Sequence, residues 1–549
     1  MNWILGLLFI LIVIFLINNY TKKKKLKFLK KKLIEKWGKS NRVDYYNFSS
    51  IGKYFENNLH KNKAYHIISD KCNIDLDIDE VFKFIDRTSS RIGQQFLYFK
   101  LRTIGSIDKL IKFDSLSNLF RNDESLRINC QMQLSNLNSN DAYYLEELIN
   151  GKQIVKPKIL WLIQSLSILA LISIILAFYY PVFLLNLIPI LGINTFFHYR
   201  NKENINYYVN GVKQLSISLK VSKNLAQLNS IKSYFTDLSF INKISSIKLR
   251  TEFIAFEKKL DNEFAAFFWI IIELVKIQFN LEYIIFFSFI DSINKEKESI
   301  ENMFLFIGEI DAAISMASLK SDKYSICTPT FTKTKQIVSK EIYHPLIVNC
   351  IANDLKLIDK SMLLTGSNMS GKTTFIRTIA INSILAQTLN ICFAKEYSAP
   401  FFKLYSSIRI SDDILEGTSY YLEEVMTIKE FIEASKEDES HLFILDEIFK
   451  GTNTIERISG GKAILSFLNK QNHTVLVSTH DIELTTLLEN YNFELYHFSE
   501  QIENDELLFD HKLKRGKLKT RNAIKILELY NYPNEIIKDA RNTEQNNFG

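Results

Sequence analysis

The stretch Gly366-Ser-Asn-Met-Ser-Gly-Lys-Thr-Thr374 decides the fold of the C-terminal part of this chain. It fits the pattern G-x-x-x-x-G-K-[ST], in which a glycine-rich loop joins a buried strand to a helix. The apolar residues 362–364 precede the loop as a predicted strand, and a helical pattern follows from Phe375. Backbone N–H groups in such a loop point at phosphate oxygens beside the positive end of the helix. The stretch therefore predicts a site for nucleotide phosphates.

The chemistry expected of this loop is that of an ATPase. The predicted phosphate-binding residues are Gly366, Ser367, Asn368, Met369, Ser370, Gly371, Lys372, Thr373 and Thr374. Lys372 would reach the β- and γ-phosphates, and the Thr373 hydroxyl would ligate Mg²⁺. A second stretch, His441-Leu-Phe-Ile-Leu-Asp-Glu447, predicts a buried strand that ends in two carboxylates. Asp446 is expected at the metal and Glu447 at the attacking water, with ATP and Mg²⁺ as substrate and cofactor.

Further motifs accompany the loop. They are Tyr343-His344-Pro345, Ile351-Ala352-Asn353, Ser411-Asp412-Asp413, the segment from Asp446 to Thr454, and Ser478-Thr479-His480-Asp481. Together with the loop they resemble the ATPase domain of the MutS mismatch-repair family, a branch of the ABC-type ATPases. The tail from Arg521 to Arg541 is similar to the family's C-terminal helix-turn-helix, which holds two subunits together. The resemblance runs from near Tyr343 to the C-terminus.

The resemblance implies roles for single residues. Glu447 matches the residue that polarises the attacking water, and His480 matches the switch histidine that senses the γ-phosphate, so both are expected to be catalytic. The loop of Gly451, Thr452 and Asn453 matches the segment that completes the partner subunit's nucleotide site. The family usually has Ser at the position of Asn453, whose amide can still donate a hydrogen bond to phosphate. It often stacks an aromatic residue on adenine where this chain has Cys350.

The N-terminus and the middle of the chain are membrane-like. Residues 1–21 carry no charged side chain, and eight Lys follow within residues 22–32. This order favours an uncleaved anchor, with the Lys block on the cytoplasmic side, over a secretory signal. Residues 159–199 contain no Asp, Glu, Lys or Arg, and Tyr179-Tyr180-Pro181 divides them into two runs of membrane-spanning length. The alternative for each run is a buried core helix.

These runs predict a multi-pass protein of the inner (cytoplasmic) membrane, with the bilayer as one partner and the ATPase domain in the cytoplasm. A third apolar stretch, residues 264–290, is interrupted by Glu273, Lys276 and Glu282, so we expect buried soluble helices there. The net charge of +7 is weak evidence for nucleic-acid binding, because the Lys block alone accounts for it. The five cysteines lack C-x-x-C spacing, which favours reduced cytosolic thiols over a zinc site or a disulfide framework.

The predicted fold is an α/β P-loop (ABC-type) ATPase domain, C-terminal to an all-α helical core that a transmembrane hairpin splits, plus an N-terminal transmembrane helix. Residues 81–101 and 304–319 resemble the start and the end of the family's helical core. The predicted segments are an anchor with a basic flank (1–32), the first part of the core (33–150), the hairpin (151–204), the second part of the core (205–325), the ATPase domain (326–520) and a dimerisation tail (521–549).

The leading functional prediction is a MutS-like ATPase that binds DNA in an ATP-dependent manner, for mismatch repair or DNA maintenance, as a membrane-anchored homodimer with composite nucleotide sites. Residues 1–150 contain no Phe-x-Glu wedge, so the mismatch-recognition domain of the family is expected to be missing. The alternative is an ATP-driven membrane switch that does not bind DNA. In either case membrane or repair proteins are expected as partners, and the sequence does not identify them. A transporter is disfavoured, because one anchor and one short hairpin offer little for a translocation path.

Overall fold

The computed structural model describes residues 2–40, 45–57, 61, 63–151, 156, 158–245, 273–409, 420–503, 506–518 and 523–548. The chain forms two compact units, which are described separately. The first unit comprises residues 1–61, 85–99 and 113–322, and the second comprises residues 62–84, 100–112 and 323–549. This division differs from the predicted segments, because residues 62–84 and 100–112 belong with the unit that contains the ATPase motifs.

The part of the chain before residue 321 is mainly helical. Its α-helices are Asn2–Lys36, Phe48–Ile51, Lys53–Asn57, Asp70–Asp75, Ile78–Ile85, Arg91–Arg102, Ile107–Asn122, Glu124–Leu134, Leu145–Asn150, Leu160–Ala177, Leu187–Ala226, Asn229–Lys232, Phe240–Ser245, Leu281–Lys295 and Lys297–Lys320. Its 3₁₀ turns are Ser135–Leu137, Asn140–Tyr144 and Pro181–Asn186. Two short strands, His66–Ile67 and Thr103–Ile104, pair antiparallel.

The helix Lys297–Lys320 forms the centre of the first unit. It packs against the helix Arg91–Arg102, which contains Gly93. A Cβ atom on Gly93 would lie 2.1 Å from Asp311 Oδ2, so the two helices approach too closely there for any residue other than glycine. The Asp311 carboxylate accepts hydrogen bonds from the backbone N–H groups of Ser89 (2.8 Å) and Ser90 (2.7 Å). Burial raises the pKa of Asp311 to about 7. The two segments that resemble the family's helical core therefore pack directly against each other.

Three helical segments among the described residues are long and apolar enough to cross a membrane. Two of them, Leu160–Ala177 and Pro181–Tyr199, are only 17% and 11% buried, whereas Lys297–Lys320 is 83% buried and is a core helix. The first two lie where the hairpin is predicted. The second arm does not end near residue 204, however, because residues 200–226 contain no Pro and the helix continues to Ala226. The N-terminal helix likewise runs without a break through the Lys block to Lys36.

The third apolar stretch contacts the two apolar helices. Residues 264–272 lie outside the described part of the chain, and a turn at Asn280 (φ 44°) precedes the helix Leu281–Lys295. Ser167 Oγ donates a hydrogen bond to Phe279 O (2.8 Å), and Asn194 Nδ2 donates one to Gln278 O (2.5 Å). The prediction of buried soluble helices did not anticipate this contact, because Ser167 and Asn194 are distant in sequence from the turn.

The second unit contains a six-stranded sheet. In spatial order its strands are Lys514–Arg515, Phe493–His497, Ser361–Thr365, Thr474–Thr479, His441–Asp446 and Lys403–Ser407. All neighbours pair parallel except the edge strand Lys514–Arg515. The strands predicted beside the phosphate loop and the carboxylates are confirmed, and they are almost wholly buried. Parallel strands covered on both faces are expected to be continuous apolar runs, as these are.

Other elements surround this sheet. A four-stranded sheet has the spatial order Thr330–Phe331, Glu396–Ala399, Gln336–Ile342 and Asn353–Ile358, and the strands Glu500–Glu503 and Glu506–Phe509 form a hairpin. The α-helices are Lys372–Leu389, Tyr420–Ala434, Thr454–Leu468, Glu483–Leu487, Ala523–Leu529 and Asn534–Phe548, with 3₁₀ turns at Asn368–Ser370 and Glu489–Tyr491. The last two α-helices form the predicted helix-turn-helix tail.

Residues 62–84 join the second unit through a buried carboxylate. Asp75 is fully buried and accepts hydrogen bonds from Ser406 Oγ (2.7 Å), Ile408 N (3.1 Å) and Arg409 N (2.8 Å). Asp77 pairs with both terminal nitrogens of Arg409 (2.8 and 2.7 Å). These contacts hold the end of the strand Lys403–Ser407, and they explain why this segment belongs with the sheet.

Candidate functional site

The predicted site residues meet at one edge of the six-stranded sheet. Thr479 is paired with Thr365, and Ser478 with Asp446, so the three central strands end side by side. The phosphate loop follows the first of these strands, Glu447 follows the second and His480 follows the third. In open α/β sheets ligands bind outside the carboxyl ends of the strands, which is where these residues lie.

The phosphate loop depends on its two glycines. Gly366 has φ 147° and Gly371 has φ 105°, values that residues with a side chain rarely adopt. A Cβ atom on Gly366 would also lie 2.8 Å from Ser370 Oγ. Lys372 begins an 18-residue helix directly after Gly371, so the loop lies at the positive end of the helix dipole. The backbone is thus arranged to receive an anion.

Lys372 supplies a buried cation at this position. Its Nζ atom donates hydrogen bonds to Gly366 O (2.8 Å) and Ser367 O (3.0 Å). Burial lowers the pKa of Lys372 to about 8, because the ammonium has lost hydration that these carbonyl oxygens replace only in part. A phosphate group would favour the charged form strongly.

Thr373 and Asp446 form the candidate magnesium site. Thr373 Oγ1 donates a hydrogen bond to Asp446 Oδ2 (2.7 Å), and Ser478 Oγ donates one to Asp446 Oδ1. Hydroxyl and carboxylate oxygens are ligands that Mg²⁺ accepts, with substrate phosphates and water in its remaining positions. The donor set therefore fits Mg²⁺, and Thr373 and Asp446 would hold it as predicted from the sequence.

Glu447 and His480 are in direct contact. Glu447 Oε1 lies 3.1 Å from His480 Nε2, and the same nitrogen lies 3.2 Å from Lys372 Nζ. The hydrogen bond from His480 lowers the pKa of Glu447 to about 2, so its carboxylate is ionised at neutral pH. Glu447 has φ 62°, and its N–H donates to Ser478 O (2.8 Å). One imidazole nitrogen thus lies between the expected base and the phosphate-binding lysine.

An arginine that the sequence reasoning missed holds the residue after His480. Arg457 Nε donates to Asp481 Oδ2 (2.8 Å), and a terminal nitrogen of Arg457 donates to Asp481 Oδ1 (2.7 Å). Such a two-bond pair fixes orientation as well as charge. The motif Ser478-Thr479-His480-Asp481 contains no signal for this partner, because Arg457 lies 24 residues before Asp481.

The loop predicted to reach a partner subunit lies at a helix start. Asn453 Oδ1 accepts a hydrogen bond from Glu456 N (3.0 Å) and caps the helix Thr454–Leu468. Thr452 Oγ1 donates to Glu456 Oε2 (2.7 Å). Asn453 is exposed, and its cap uses the oxygen and leaves the amide nitrogen as a donor. The predicted motif Ser411-Asp412-Asp413 lies outside the described residues.

A cleft of about 400 Å³ adjoins the phosphate loop. Its lining comes from residues 342–343, 347–351 and 353, from residues 369–371, 374, 375 and 378, and from Phe498 and His511. Cys350, which stands where the family often has an aromatic residue, is in this lining. His511 Nδ1 contacts Ser370 O at 3.0 Å, and Phe498 stacks edge-on with Phe375 at 5.9 Å between ring centroids. The aromatic rings of Phe375, Phe498 and His511 are therefore available to contact a nucleotide base, although Cys350 itself is not aromatic.

The parallel sheet, the phosphate loop and the two carboxylates define this part of the chain as a P-loop ATPase domain. The family model for MutS domain V matches residues 362–547. The DNA mismatch repair protein MutS of Staphylococcus aureus strain MRSA252 is 30% identical over 272 residues, which cover 48% of this chain and 31% of that protein. The MutS protein of strain JH9 matches with the same identity and coverage. The C-terminal part of the chain is therefore similar to MutS proteins, and the chain spans about a third of the length of these curated relatives.

Proposed function

We propose that this chain binds ATP together with Mg²⁺ and hydrolyses it. The observation that carries the proposal is the convergence of Lys372, the Thr373–Asp446 pair and the Glu447–His480 pair at one edge of the sheet. When bound, Mg²⁺ would neutralise charge on the β- and γ-phosphates. The ionised carboxylate of Glu447 would accept a proton from the attacking water. His480 would couple the γ-phosphate near Lys372 to the position of Glu447.

The test of hydrolysis uses Glu447→Gln and Lys372→Ala in the full chain. Glu447→Gln should bind ATP with near wild-type affinity but lose phosphate release by a factor of about 100 or more, because general-base catalysis contributes about 10²–10⁴ in rate. Lys372→Ala should instead weaken ATP binding. Hydrolysis by Glu447→Gln at the wild-type rate would remove Glu447 from the mechanism.

The composite site of a homodimer belongs to the same proposal. Gly451, Thr452 and Asn453 would reach the partner's nucleotide, with the Asn453 amide nitrogen as donor to phosphate. Ile455, in the first turn of the helix that Asn453 caps, is 79% exposed in the single chain. A contact between two copies at this loop would bury that apolar side chain.

We further propose that the ATPase is anchored to the membrane and binds DNA in an ATP-dependent manner, as a MutS-like protein of DNA maintenance. The names of the matched relatives support the DNA partner, since each is a mismatch repair protein. The largely exposed apolar helices Leu160–Ala177 and Pro181–Tyr199 support the membrane. The same exposure favours a second candidate, an ATP-driven switch that acts on its own hairpin or on a membrane partner without binding DNA.

A DNA-binding assay across a salt series separates the two candidates. The full chain in detergent is mixed with labelled duplex DNA, with and without ATP, at rising salt concentration. Binding through phosphates must weaken steeply with salt, because each contact releases a counterion. ATP-dependent binding with this salt dependence supports the DNA-maintenance function. Lack of binding at low salt, in a preparation that hydrolyses ATP, overturns the DNA-maintenance function and favours the membrane switch.

A further inference from the structure

Cys327 and Cys392 lie directly opposite each other in the second unit. They form an isolated antiparallel bridge, in which Cys327 N donates to Cys392 O (2.9 Å) and Cys392 N donates to Cys327 O (3.0 Å). Residues that exchange both backbone hydrogen bonds have Cα atoms about 5.5 Å apart, with side chains on the same face. Disulfides join Cα atoms about 4.4–6.8 Å apart, so the backbone already holds this pair at bonding range.

The two thiols differ in access and acidity. Cys327 is partly exposed, whereas Cys392 is fully buried. The interaction with Cys392 lowers the pKa of the Cys327 thiol, and burial raises the pKa of Cys392. A thiolate that solvent can reach is the form that oxidants attack, and a buried thiol beside it can resolve the product.

The buried thiol belongs to the network that supports the nucleotide cleft. Cys392 Sγ donates to Asn382 Oδ1 (3.3 Å), and the same oxygen accepts the backbone N–H of Phe393 (2.7 Å). The amide nitrogen of Asn382 donates to Tyr343 O (3.2 Å). Tyr343 lines the cleft beside the phosphate loop, and Asn382 lies on the helix that begins at Lys372. A covalent bond at Cys392 removes the thiol donor to Asn382 from this network, so the hydrogen bonds that hold Tyr343 and the cleft wall lose one of their supports.

We propose that Cys327 and Cys392 form a reversible disulfide under hydroperoxide stress, and that this bond weakens nucleotide binding. The Cys327 thiolate attacks the O–O bond, which breaks to give a sulfenic acid and, after protonation, water or an alcohol. Cys392 Sγ then attacks the Cys327 sulfur, the S–S bond forms and water leaves. The thiols lose two electrons and two protons in total, and the peroxide is reduced. A cellular dithiol reverses the reaction by thiol–disulfide exchange. The weakening of nucleotide binding rests on the proposed ATP site, whereas formation of the disulfide does not depend on that site.

The first measurement tests the bond itself. The full chain is treated with hydrogen peroxide, its remaining thiols are alkylated and tryptic peptides are analysed by mass spectrometry without reduction. We expect residues 324–333, which contain Cys327, to be linked to residues 378–395, which contain Cys392, in a species that dithiothreitol removes. Cys327→Ser must abolish it, and Cys130→Ala, in the other unit, must retain it. Alkylation of both thiols after peroxide, or oxidation of Cys327 to sulfonic acid without a link, overturns the proposal.

The second measurement tests the consequence. The dissociation constant of a fluorescent ATP analogue is compared for reduced, oxidised and re-reduced protein. We expect a several-fold rise on oxidation that dithiothreitol reverses, and no rise for Cys392→Ser, whose hydroxyl can still donate to Asn382. A linked protein with unchanged affinity refutes the coupling to the cleft. A protein that links its cysteines but binds no nucleotide in either state refutes the proposed ATPase and leaves the disulfide standing.

Discussion

Lys372 lies among backbone carbonyl oxygens rather than in water, and that environment lowers its pKa to about 8. The usual pKa of a lysine ammonium is 10.5, so burial has destabilised the charged form relative to the neutral form. The ammonium is charged below pH 8 and becomes neutral as the pH rises through 8, within the range of ordinary assays. Nucleotide phosphates attract only the charged form.

The pH dependence of ATP binding follows from this lysine. Above pH 8 the dissociation constant should rise by about tenfold per pH unit, because ATP binding must then protonate Lys372. Titration of a fluorescent ATP analogue between pH 7 and pH 9.5 measures the slope. Lys372→Arg keeps its charge throughout this range and serves as the control, since its affinity should not fall with pH for this reason. A wild-type affinity that stays constant to pH 9.5 would contradict the assignment.

At the scale of elements, local and non-local features differ in how far the sequence predicts them. The strand Ser361–Thr365, the phosphate loop and the helix from Lys372 are encoded within one continuous stretch, so apolar runs and glycines suffice to predict them. The Arg457–Asp481 pair and the Cys327–Cys392 bridge join distant segments, and spacing contains no signal for either. The attachment of residues 62–84 to the ATPase unit was missed for the same reason.

That attachment gives a stability prediction. Asp75→Ala removes the acceptor of two buried donors, Ser406 Oγ and Ile408 N, and of the part-buried Arg409 N, and it should reduce the free energy of unfolding of the second unit by about 3 kcal/mol, since each buried donor left unsatisfied costs about 1–3 kcal/mol. For a unit of this size that is a fall of roughly 5–10 °C in thermal midpoint. Glu80→Ala is the matched control, because its side chain is 56% exposed and pairs with Lys83 at i,i+3. Equal midpoints for the two variants would argue against a structural role for Asp75.

At the scale of the whole molecule, the C-terminal tail is the predicted contact between two copies. Its helices, Ala523–Leu529 and Asn534–Phe548, are joined by an ion pair between Glu528 and Arg541. Large apolar side chains remain exposed on the single chain: Tyr530 (67%), Tyr532 (49%) and Ile536 (49%). Burial of such a surface at about 25 cal/mol per Å² would favour pairing across a two-fold axis.

Deletion of residues 520–549 should therefore lower both the oligomer mass and the ATPase rate, because each site would lose the loop that its partner supplies. Light scattering of the detergent-solubilised protein and phosphate release measure the two effects. Ile536→Glu tests the same surface in a full-length chain. Lys538→Glu also introduces a negative side chain, but on another face of the same helix, and serves as the control. A monomeric yet fully active protein would exclude the composite site.

The predicted membrane topology can be tested in intact cells. A cysteine introduced at Tyr179 should react with an impermeant thiol reagent added outside, after any outer membrane is permeabilised, because the turn between the two apolar helices would lie on the outer side. Native Cys350, beside the nucleotide cleft, should react only after lysis. Protection of both positions in intact cells would make Leu160–Ala177 and Pro181–Tyr199 part of a folded interior instead.

The helix Leu187–Ala226 has the length of a lever. Its 40 residues extend about 60 Å, and residues such as Leu215 and Leu219 are buried in the first unit while the residues near its start are largely exposed. A stiff rod of that length converts a tilt of about 5° at one end into a displacement of about 5 Å at the other. The conversion works in both directions. In the proposed bilayer, a change in thickness or lateral tension would exert torque on the embedded end, and the first unit would then respond at Leu215 and Leu219 to the mechanical state of the membrane.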